Sequence, residues 1–154
     1  MTYVLRDVSL MDFDQINSLG RWFQENSNYV NCGWSPKKAL VFVHQGSKPQ
    51  SNTFMKVCEL NGEIVGFFLG ELVEYFFSQD LIAQELVMVF KPNHREGIGD
   101  HLKNMISEFT DWSKSKGAVE VCVGITSGIA GKGYEKLLKQ QGFKEVGLIT
   151  KKEV

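Results

Sequence analysis

An apolar strand that runs into a glycine turn and then into a long helix dominates this sequence. Residues 81–102 read LIAQELVMVFKPNHREGIGDHL. The mostly apolar beginning predicts a strand, Pro92-Asn93 ends it, and Gly97-Ile98-Gly99 precedes a helix. The apolar side chains of that helix recur at steps of four and three and so share one face, namely Ile98, Leu102, Met105, Phe109 and Trp112. Gly117 ends the helix, and residues 118–125 predict a second strand, parallel to the first.

The glycine turn has the properties of an anion-binding site. The first backbone N–H groups of a helix lack partners within the helix, and the helix dipole adds partial positive charge there. Glycines allow phosphate oxygens to approach the backbone closely. A dinucleotide-binding turn is excluded because Leu102 stands where a third glycine is needed, and a P-loop is excluded because Gly-Lys-Ser/Thr is absent. The turn alone is equally consistent with an ordinary strand-to-helix connection.

The elements predicted around this turn define the fold class. Apolar patterns and turn signals predict strands over residues 3–8, 53–60, 63–77, 81–90, 118–125 and 143–152. Helices are predicted after the cap residues Ser9 and Ser35, at the glycine turn, and over residues 134–141. The order β-α-α-β-β-β-α-β-α-β predicts an α/β (α+β) fold with one mixed sheet, in which an antiparallel meander adjoins a parallel pair.

Length, charge and cysteine content limit the classes of protein. A chain of 154 residues fits a single domain over residues 1–154. The net charge of -1 argues against a general nucleic-acid binder. No apolar run reaches the length of a membrane span, and the charged N-terminus does not fit a secretory signal. The three cysteines have unrelated spacings, and Cys58 and Cys122 lie in apolar strands, so we expect reduced core thiols, no metal site and a cytoplasmic location.

Three short motifs carry a resemblance to a known family. Residues 61–67 read NGEIVGF, residues 87–102 contain the glycine turn, and residues 140–143 read QQGF. Together they resemble, in order, the second hairpin, the central Gln/Arg-x-x-Gly-x-Gly/Ala motif and the Gly-Phe signature of the GNAT superfamily of N-acyltransferases. The element order matches as well, so the resemblance covers nearly the full chain. It implies a GNAT-like mixed sheet whose parallel pair splays apart.

The resemblance implies acetyl-CoA (coenzyme A) as the cosubstrate. In the family, the strand before the turn pairs with pantetheine through free backbone groups, which here belong to Val87, Met88 and Val89. The CoA diphosphate is implied to lie in the turn formed by His94, Arg95, Glu96, Gly97, Ile98, Gly99 and Asp100. His94 stands where the family has Gln or Arg, and Glu96 and Asp100 add negative charge near the diphosphate.

Two side chains are candidates for proton transfer. Glu85 lies on the strand that carries the thioester in the family, where an acidic residue often acts as a general base, directly or through water. A solvent-facing glutamate is the alternative. Four residues before Gly142 the family has a tyrosine that protonates the leaving thiolate, but this chain has Leu138 there and Tyr134 one turn earlier. Tyr134 is therefore the candidate acid, with a packing role as its alternative.

The acceptor side is assigned to the loop between the first two helices. The family shapes its acceptor pocket in this region, and Tyr29, Asn31 and Trp34 supply aromatic and amide groups that suit ligand contact. The aromatic residues 75–77 at the end of the long strand either line the same cleft or pack under a loop.

The resemblance therefore implies an N-acetyltransferase that moves an acetyl group from CoA to a primary amine by direct attack in a ternary complex. The acceptor is a small molecule or a protein. Leu138 and His94 keep open a non-catalytic acyl-CoA-binding module of the same fold, and a modifier of protein or nucleic acid is a third alternative. We expect no membrane or nucleic-acid partner, and both a monomer and a homodimer stay open.

Overall fold

The computed structural model describes residues 2–94, 97–129 and 132–154, and its centre is a mixed five-stranded sheet. The strands lie side by side in chain order, as β1 (Tyr3–Asp7), β2 (Thr53–Leu60), β3 (Glu63–Glu74), β4 (Leu81–Phe90) and β5 (Glu120–Cys122). Strands β1 to β4 pair antiparallel, whereas β4 and β5 pair parallel. The predicted fold class, a meander joined to a parallel pair, is therefore confirmed.

Four helices cover the sheet, namely α1 (Phe13–Glu25), α2 (Pro36–Gly46), α3 (Gly99–Ser115) and α4 (Lys132–Gln140). The two predicted caps are confirmed. Ser9 N–H donates to Asp12 Oδ2 at 2.8 Å, and Lys38 N–H donates to Ser35 Oγ at 3.3 Å. These bonds fix the start of α2 and of the 3-10 turn Leu10–Asp12, which leads directly into α1. None of the described helices is long and apolar enough to cross a membrane.

Two apolar cores lie on opposite faces of the sheet. Helices α3 and α4 cover a core that includes Phe68 and Phe109, and helices α1 and α2 cover a core that includes Val43 and Phe67. Phe67 and Phe68 are consecutive in β3 and point to opposite faces, as the alternation of a strand requires. The sheet is therefore the middle one of three layers.

The predicted strand over residues 143–152 is wrong. Residues 143–154 are described throughout and form no strand. Val146, Leu148 and Ile149 are 96%, 87% and 76% exposed. These residues have the composition of a strand, but no strand in the described part of the chain pairs with them, so their apolar side chains stay in solvent.

Contacts at both ends hold this C-terminal segment in place. Its beginning is fixed because Phe143 N–H donates to Leu138 O at 3.1 Å. Near its end, Asn31 Nδ2 donates to Glu153 Oε1 at 2.6 Å. The segment therefore runs from the end of α4 to the loop between α1 and α2.

Two strands end three residues earlier than predicted. Strand β5 ends at Cys122, where its pairing with β4 stops. Strand β3 ends at Glu74, and Phe76 and Phe77 beyond it are exposed rather than packed in a core. Cys122 is also exposed, contrary to the prediction of a core thiol, because it lies on the edge strand, whereas Cys58 is fully buried as predicted.

Candidate functional site

The parallel strands β4 and β5 separate halfway along β4. Their pairing covers only Ile82 with Glu120, Ala83 with Val121, and Gln84 with Cys122. Strand β4 continues to Phe90, so beyond Gln84 its outer edge faces a gap. The backbone N–H and C=O groups that point to this edge from residues 87–89 are not paired with β5. An extended ligand can therefore bind along this edge as an added strand.

A β-bulge at Leu86 changes which face the side chains of β4 point to. Val87 pairs with Leu69 and Glu85 with Gly70, so Leu86 is an extra residue in β4. Without the bulge, side chains 83, 85, 87 and 89 would share one face of the sheet. With it, Ala83 packs in the core under α3, whereas Val87 packs against the core under α1 and α2. By alternation from Ala83, Glu85 also faces the α3 and α4 side.

The Glu85 carboxylate lies at the point where the two strands separate. Gly124 N–H, just beyond the end of β5, donates to Glu85 Oε2 at 3.1 Å. Burial raises the pKa of Glu85 to about 7, although the bond from Gly124 opposes the rise. A carboxylate with a pKa near neutrality is suited to accept a proton in a reaction at neutral pH.

Tyr134 of α4 lies on the same face of the sheet, next to Leu138. Both side chains are buried in the core under α3. The Tyr134 hydroxyl is buried and has no hydrogen-bond partner among the described residues. Burial and the charge of Glu85 raise the pKa of Tyr134, so the phenol keeps its proton. The geometry thus brings a proton acceptor and a protonated hydroxyl to one side of β4.

The glycine turn presents an open backbone at the start of α3. Gly97 has a φ of +86°, which favours glycine, and Gly99 is the first residue of α3. A Cβ added at either glycine would meet no atom of the described residues within 4 Å. Ile98 precedes the helix and makes no side-chain cap, so the first N–H groups of α3 receive no bond from it. This part of the turn fits an anion, while Arg95 and Glu96 lie outside the described residues.

Two described basic side chains near the turn, His94 and Lys91, already have partners within the chain. The Tyr3 hydroxyl and His94 Nδ1 share a hydrogen bond of 3.2 Å. Lys91 forms an ion pair with Glu63, and this pair lowers the pKa of Glu63. Among the described residues of the turn, the backbone at the start of α3 is therefore the main group available to an anion, and Asp100 in the first helical turn adds negative charge there. Among the described residues, no three His, Cys, Asp or Glu side chains converge to hold a metal ion.

An apolar cavity of about 310 Å³ opens on the other face of the sheet, between α1, α2 and the strands. Trp34 packs against Gly20 so closely that a Cβ there would lie 2.4 Å from the indole. Trp34 Nε1 donates to Asn17 Oδ1 at 2.9 Å, which fixes the ring. The other lining residues include Phe23, Lys38, Ala39, Phe42, Met55, Leu86 and Val87. Because Leu86 and Val87 belong to the bulge, the cavity adjoins the strand that also carries Glu85.

Of the three predicted acceptor residues, only Trp34 lines this cavity. The Tyr29 hydroxyl is hydrogen-bonded to Thr126 Oγ1, and Asn31 is bonded to Glu153. Asn28 N–H also donates to Ser127 O at 2.8 Å. Tyr29 and Asn31 therefore tie the loop between α1 and α2 to other segments. The sequence did not indicate the cavity, because its lining comes from five separate elements and has no spacing along the chain.

Comparison with solved structures identifies the fold. No protein-family model matches the chain, and no curated protein sequence matches it. The structure is similar to the aminoglycoside N-acetyltransferase AAC(6')-Iy in complex with a bisubstrate analogue of CoA, with a TM-score of 0.72, 13% identity, and coverage of 100% of this chain and 99% of the other. It is also similar to glucosamine-6-phosphate N-acetyltransferase from Arabidopsis thaliana, with a TM-score of 0.71, 15% identity and 99% coverage of both chains.

A third similar structure is the ribosomal-protein-alanine N-acetyltransferase from Brucella melitensis biovar Abortus 2308. Its TM-score is 0.69 at 12% identity, and the match covers 100% of this chain and 99% of that chain. All three structures are GNAT acetyltransferases, so the chain has the GNAT fold, as the sequence resemblance predicts. The acceptors named for these three proteins differ from one another, so the fold does not specify an acceptor.

Proposed function

We propose that this protein is an N-acetyltransferase that transfers the acetyl group of acetyl-CoA to a primary amine. The observation that carries the proposal is Glu85, a carboxylate with a pKa of about 7 at the point where β4 separates from β5. The similar structures support it, because they are named acetyltransferases and AAC(6')-Iy is in complex with a bisubstrate analogue of CoA in one structure and with CoA in another.

The residues present fit CoA in two places. The open backbone at Gly97 and Gly99 and the uncapped start of α3 suit the diphosphate. The outer edge of β4 over residues 87–89 offers the N–H and C=O groups with which a pantetheine amide pairs. CoA supplies the acetyl group as a thioester, and the chain holds and orients it.

Proton transfer is the chemical task that this site performs. An alkyl amine has a pKa of about 10.4, so at neutral pH it is almost wholly protonated and cannot attack a carbonyl carbon. Glu85 takes a proton from the ammonium group, and the neutral nitrogen then attacks the carbonyl carbon to form a C–N bond. The nitrogen loses its second proton to solvent and the C–S bond breaks. The leaving thiolate then needs a proton, and a simple thiol has a pKa of about 8.5. The buried Tyr134 hydroxyl lies on the side of β4 where it can supply that proton.

The apolar cavity indicates the kind of acceptor. Lys38 is the one charged residue among the described lining residues of the cavity. The cavity therefore disfavours a polycation and suits an amine that carries an aromatic or aliphatic group. Trp34 forms part of its wall, and Leu86 and Val87 connect it to the strand that carries Glu85. We therefore propose an acceptor whose apolar part occupies this cavity.

The proposal is tested by thiol release from acetyl-CoA against a panel of amines with apolar, polar and polycationic groups. We expect acetyl-dependent thiol release with an apolar amine, and a loss of about 10²–10⁴-fold in the Glu85→Gln variant. Glu71→Gln is the matched control, because Glu71 lies on the adjacent strand and accepts a bond from Gln84 at 3.0 Å. Tight binding of CoA without thiol release on any amine would exclude the enzyme and favour a non-catalytic acyl-CoA-binding module, the alternative to which Leu138 points.

A further inference from the structure

The segment that follows β5, residues 123–129, carries the backbone donor that contacts Glu85. Gly124 N–H donates to Glu85 Oε2 at 3.1 Å. The segment belongs to no strand or helix, so no ladder of backbone bonds holds Gly124 in place. Among the described residues, its hydrogen bonds to other parts of the chain go to Glu85 and to the loop between α1 and α2. The position of Gly124 therefore depends on that loop.

Asn28 of this loop binds the segment through both its backbone and its side chain. Its backbone N–H donates to Ser127 O at 2.8 Å, and its Nδ2 donates to Thr126 O at 3.0 Å. Gly128 has a φ of +77°, and a Cβ there would lie 2.8 Å from Asn28 Oδ1. The amide group of Asn28 thus fits closely against the backbone just beyond Gly124.

Tyr29 adds a third bond and fixes the loop itself. Its hydroxyl is hydrogen-bonded to Thr126 Oγ1. Its ring packs against Phe23 of α1 with ring centroids 6.2 Å apart, and Lys151 Nζ lies 4.8 Å from the centre of the ring. The loop is therefore anchored on α1, and it transmits this anchorage to the segment after β5.

The elements packed around Glu85 leave the backbone of Gly124 as the described group that stabilises its charged form. Its partner on β3 is Gly70, and α3 places the ring of Phe109 against that glycine. Tyr134 of α4 is the titratable neighbour, and the charge of Glu85 raises the pKa of this phenol. No charged side chain among the described residues changes the pKa of Glu85, whereas the bond from Gly124 lowers it.

We propose that Asn28 and Tyr29 are positioning residues for Glu85, because they hold the segment whose Gly124 N–H donates to its carboxylate. Neither residue is hydrogen-bonded to Glu85 in the described structure, so both act through Gly124. The inference rests on the proposed role of Glu85 as the proton acceptor. The same loop continues to Trp34, which lines the apolar cavity, so it connects the proposed acceptor site with the group that accepts the proton.

Loss of these loop contacts should raise the pKa of Glu85. The bond from Gly124 stabilises the carboxylate and opposes the rise that burial causes. Gly124 is exposed and has no side chain, so its withdrawal removes a hydrogen bond and leaves most of the burial of Glu85 in place. A hydrogen bond to a charged group corresponds to about one pKa unit. We therefore expect the pKa of Glu85 to rise by about one unit.

Carbon-13 NMR of the Glu85 carboxyl group tests this without any acetyl transfer. The Glu85 signal is the one that disappears in the Glu85→Gln variant. We expect its pKa to rise by about one unit when Asn28→Ala and Tyr29→Phe are combined, a change that keeps the Tyr29 ring in its packing. The Gly124 amide proton should titrate together with Glu85 in the wild type and lose most of this titration in the double variant.

Asn26→Ala is the matched control, because Asn26 is an asparagine at the end of α1 whose Nδ2 donates to Trp22 O at 2.8 Å. We expect wild-type titrations in this variant. Thermal unfolding verifies that each variant folds, and Asn28→Ala alone replaces the double variant if the latter does not. A folded variant in which the Gly124 amide still titrates with Glu85, at the wild-type pKa, overturns the proposal.

The pH dependence of kcat/KM for an amine acceptor gives the second readout. Glu85 must be ionised to accept a proton, so the rate rises as pH passes its pKa. In the double variant the rising limb should move up by about one pH unit, a loss of about fivefold at pH 7 that disappears above about pH 9. A loss of equal size at every pH contradicts the proposal. If the wild type transfers no acetyl group, the proposed function fails, and the NMR titration still decides the positioning role.

Discussion

Glu85 is held in a state that is unfavourable for the fold and useful for proton transfer. Burial raises its pKa from a reference value of 4.5 to about 7. Ionisation of Glu85 therefore costs more in the folded chain than in the unfolded chain. The cost grows as pH rises from 4.5 and is complete above about pH 7. A carboxyl group retained at such a position despite this cost is typical of a functional site.

The stability of a Glu85→Gln variant tests this directly. Because a neutral amide removes the cost of ionisation, we expect the variant to be more stable than the wild type at pH 8, by on the order of 3 kcal/mol. The gain should be much smaller at pH 5, where most of the wild-type cost is absent. Urea unfolding of both proteins at the two pH values measures the difference in their free energies of unfolding. An equal gain at both pH values would show that the charge of Glu85 is not its cause.

Removal of the Tyr134 hydroxyl separates the packing of the ring from the proposed chemical role of the hydroxyl. The Tyr134→Phe variant keeps the ring in the core and removes a hydroxyl that has no partner among the described residues. We therefore expect stability to stay the same or to rise by about 1 kcal/mol. Acetyl transfer should slow by about 10- to 100-fold, since positioning and Glu85 remain.

Tyr75→Phe is the control for this change, because the Tyr75 hydroxyl is exposed and bonded to Glu120. Thiol release and thermal unfolding are measured for both variants. If Tyr134→Phe transfers acetyl groups at the wild-type rate, Tyr134 is a packing residue.

At the scale of elements, the start of α3 is the feature on which the proposed binding of CoA depends. Gly99 is the first residue of α3, and no atom of the described residues lies within 4 Å of the position that its Cβ would take. In a Gly99→Ala variant the helix keeps its stability or gains slightly, since alanine favours helices by about 1 kcal/mol over glycine. The methyl group occupies the space proposed for the CoA diphosphate, so we expect the affinity for CoA to fall by at least about tenfold.

Isothermal titration with CoA and thermal unfolding together check this prediction. Ser107→Ala on an exposed position of α3 is the control for a change in helix propensity alone. Unchanged CoA affinity in Gly99→Ala would place the diphosphate elsewhere.

The elements that the sequence predicted well are those with a local signal. Strands β2 and β4 have the predicted bounds, and α3 begins at Gly99 as the glycine turn and the apolar periodicity indicate. The strand over residues 143–152 was predicted wrongly. Strand composition shows that a segment can pair, and does not show whether a partner strand lies within reach. The bulge at Leu86 was not predictable, because residues 86–90 are all apolar and no alternation marks a change of face.

For the candidate site, too, the sequence predicted some features and not others. The sequence resemblance led to Glu85 and Tyr134, and the structure places both on one side of β4. The rise in the pKa of Glu85 could not be predicted, since it comes from burial that only the packed chain produces. The assignment of Tyr29 and Asn31 to the acceptor stays a prediction, and of that group only Trp34 lines the cavity.

At the scale of the whole molecule, the sheet separates the proposed proton-transfer groups from the apolar cavity. The face under α3 and α4 holds Glu85 and Tyr134, whereas the face under α1 and α2 holds the apolar cavity. Strand β4 contributes to both, since it carries Glu85 on one face and Val87 in the cavity lining on the other. This arrangement predicts that the cavity controls recognition of the acceptor and leaves the binding of CoA unaffected.

An Ala39→Leu substitution tests that separation. Ala39 lines the cavity on α2, so a larger side chain there should raise KM for an apolar amine several-fold and leave KM for acetyl-CoA unchanged. Val41→Leu is the matched control, because Val41 is exposed on the same helix. Steady-state kinetics with each substrate varied in turn measure the two KM values. A rise in KM for acetyl-CoA alone would assign the cavity to the other substrate.

Strand β3 also contributes to how strongly the fold resists local unfolding. Phe67 and Phe68 anchor the strand in two different cores, so neither pair of helices can detach without exposing an aromatic ring that the strand buries. Strand β3 also pairs with β2 on one edge and with β4 on the other. We therefore expect its backbone amides to be among the slowest in the molecule to exchange with solvent.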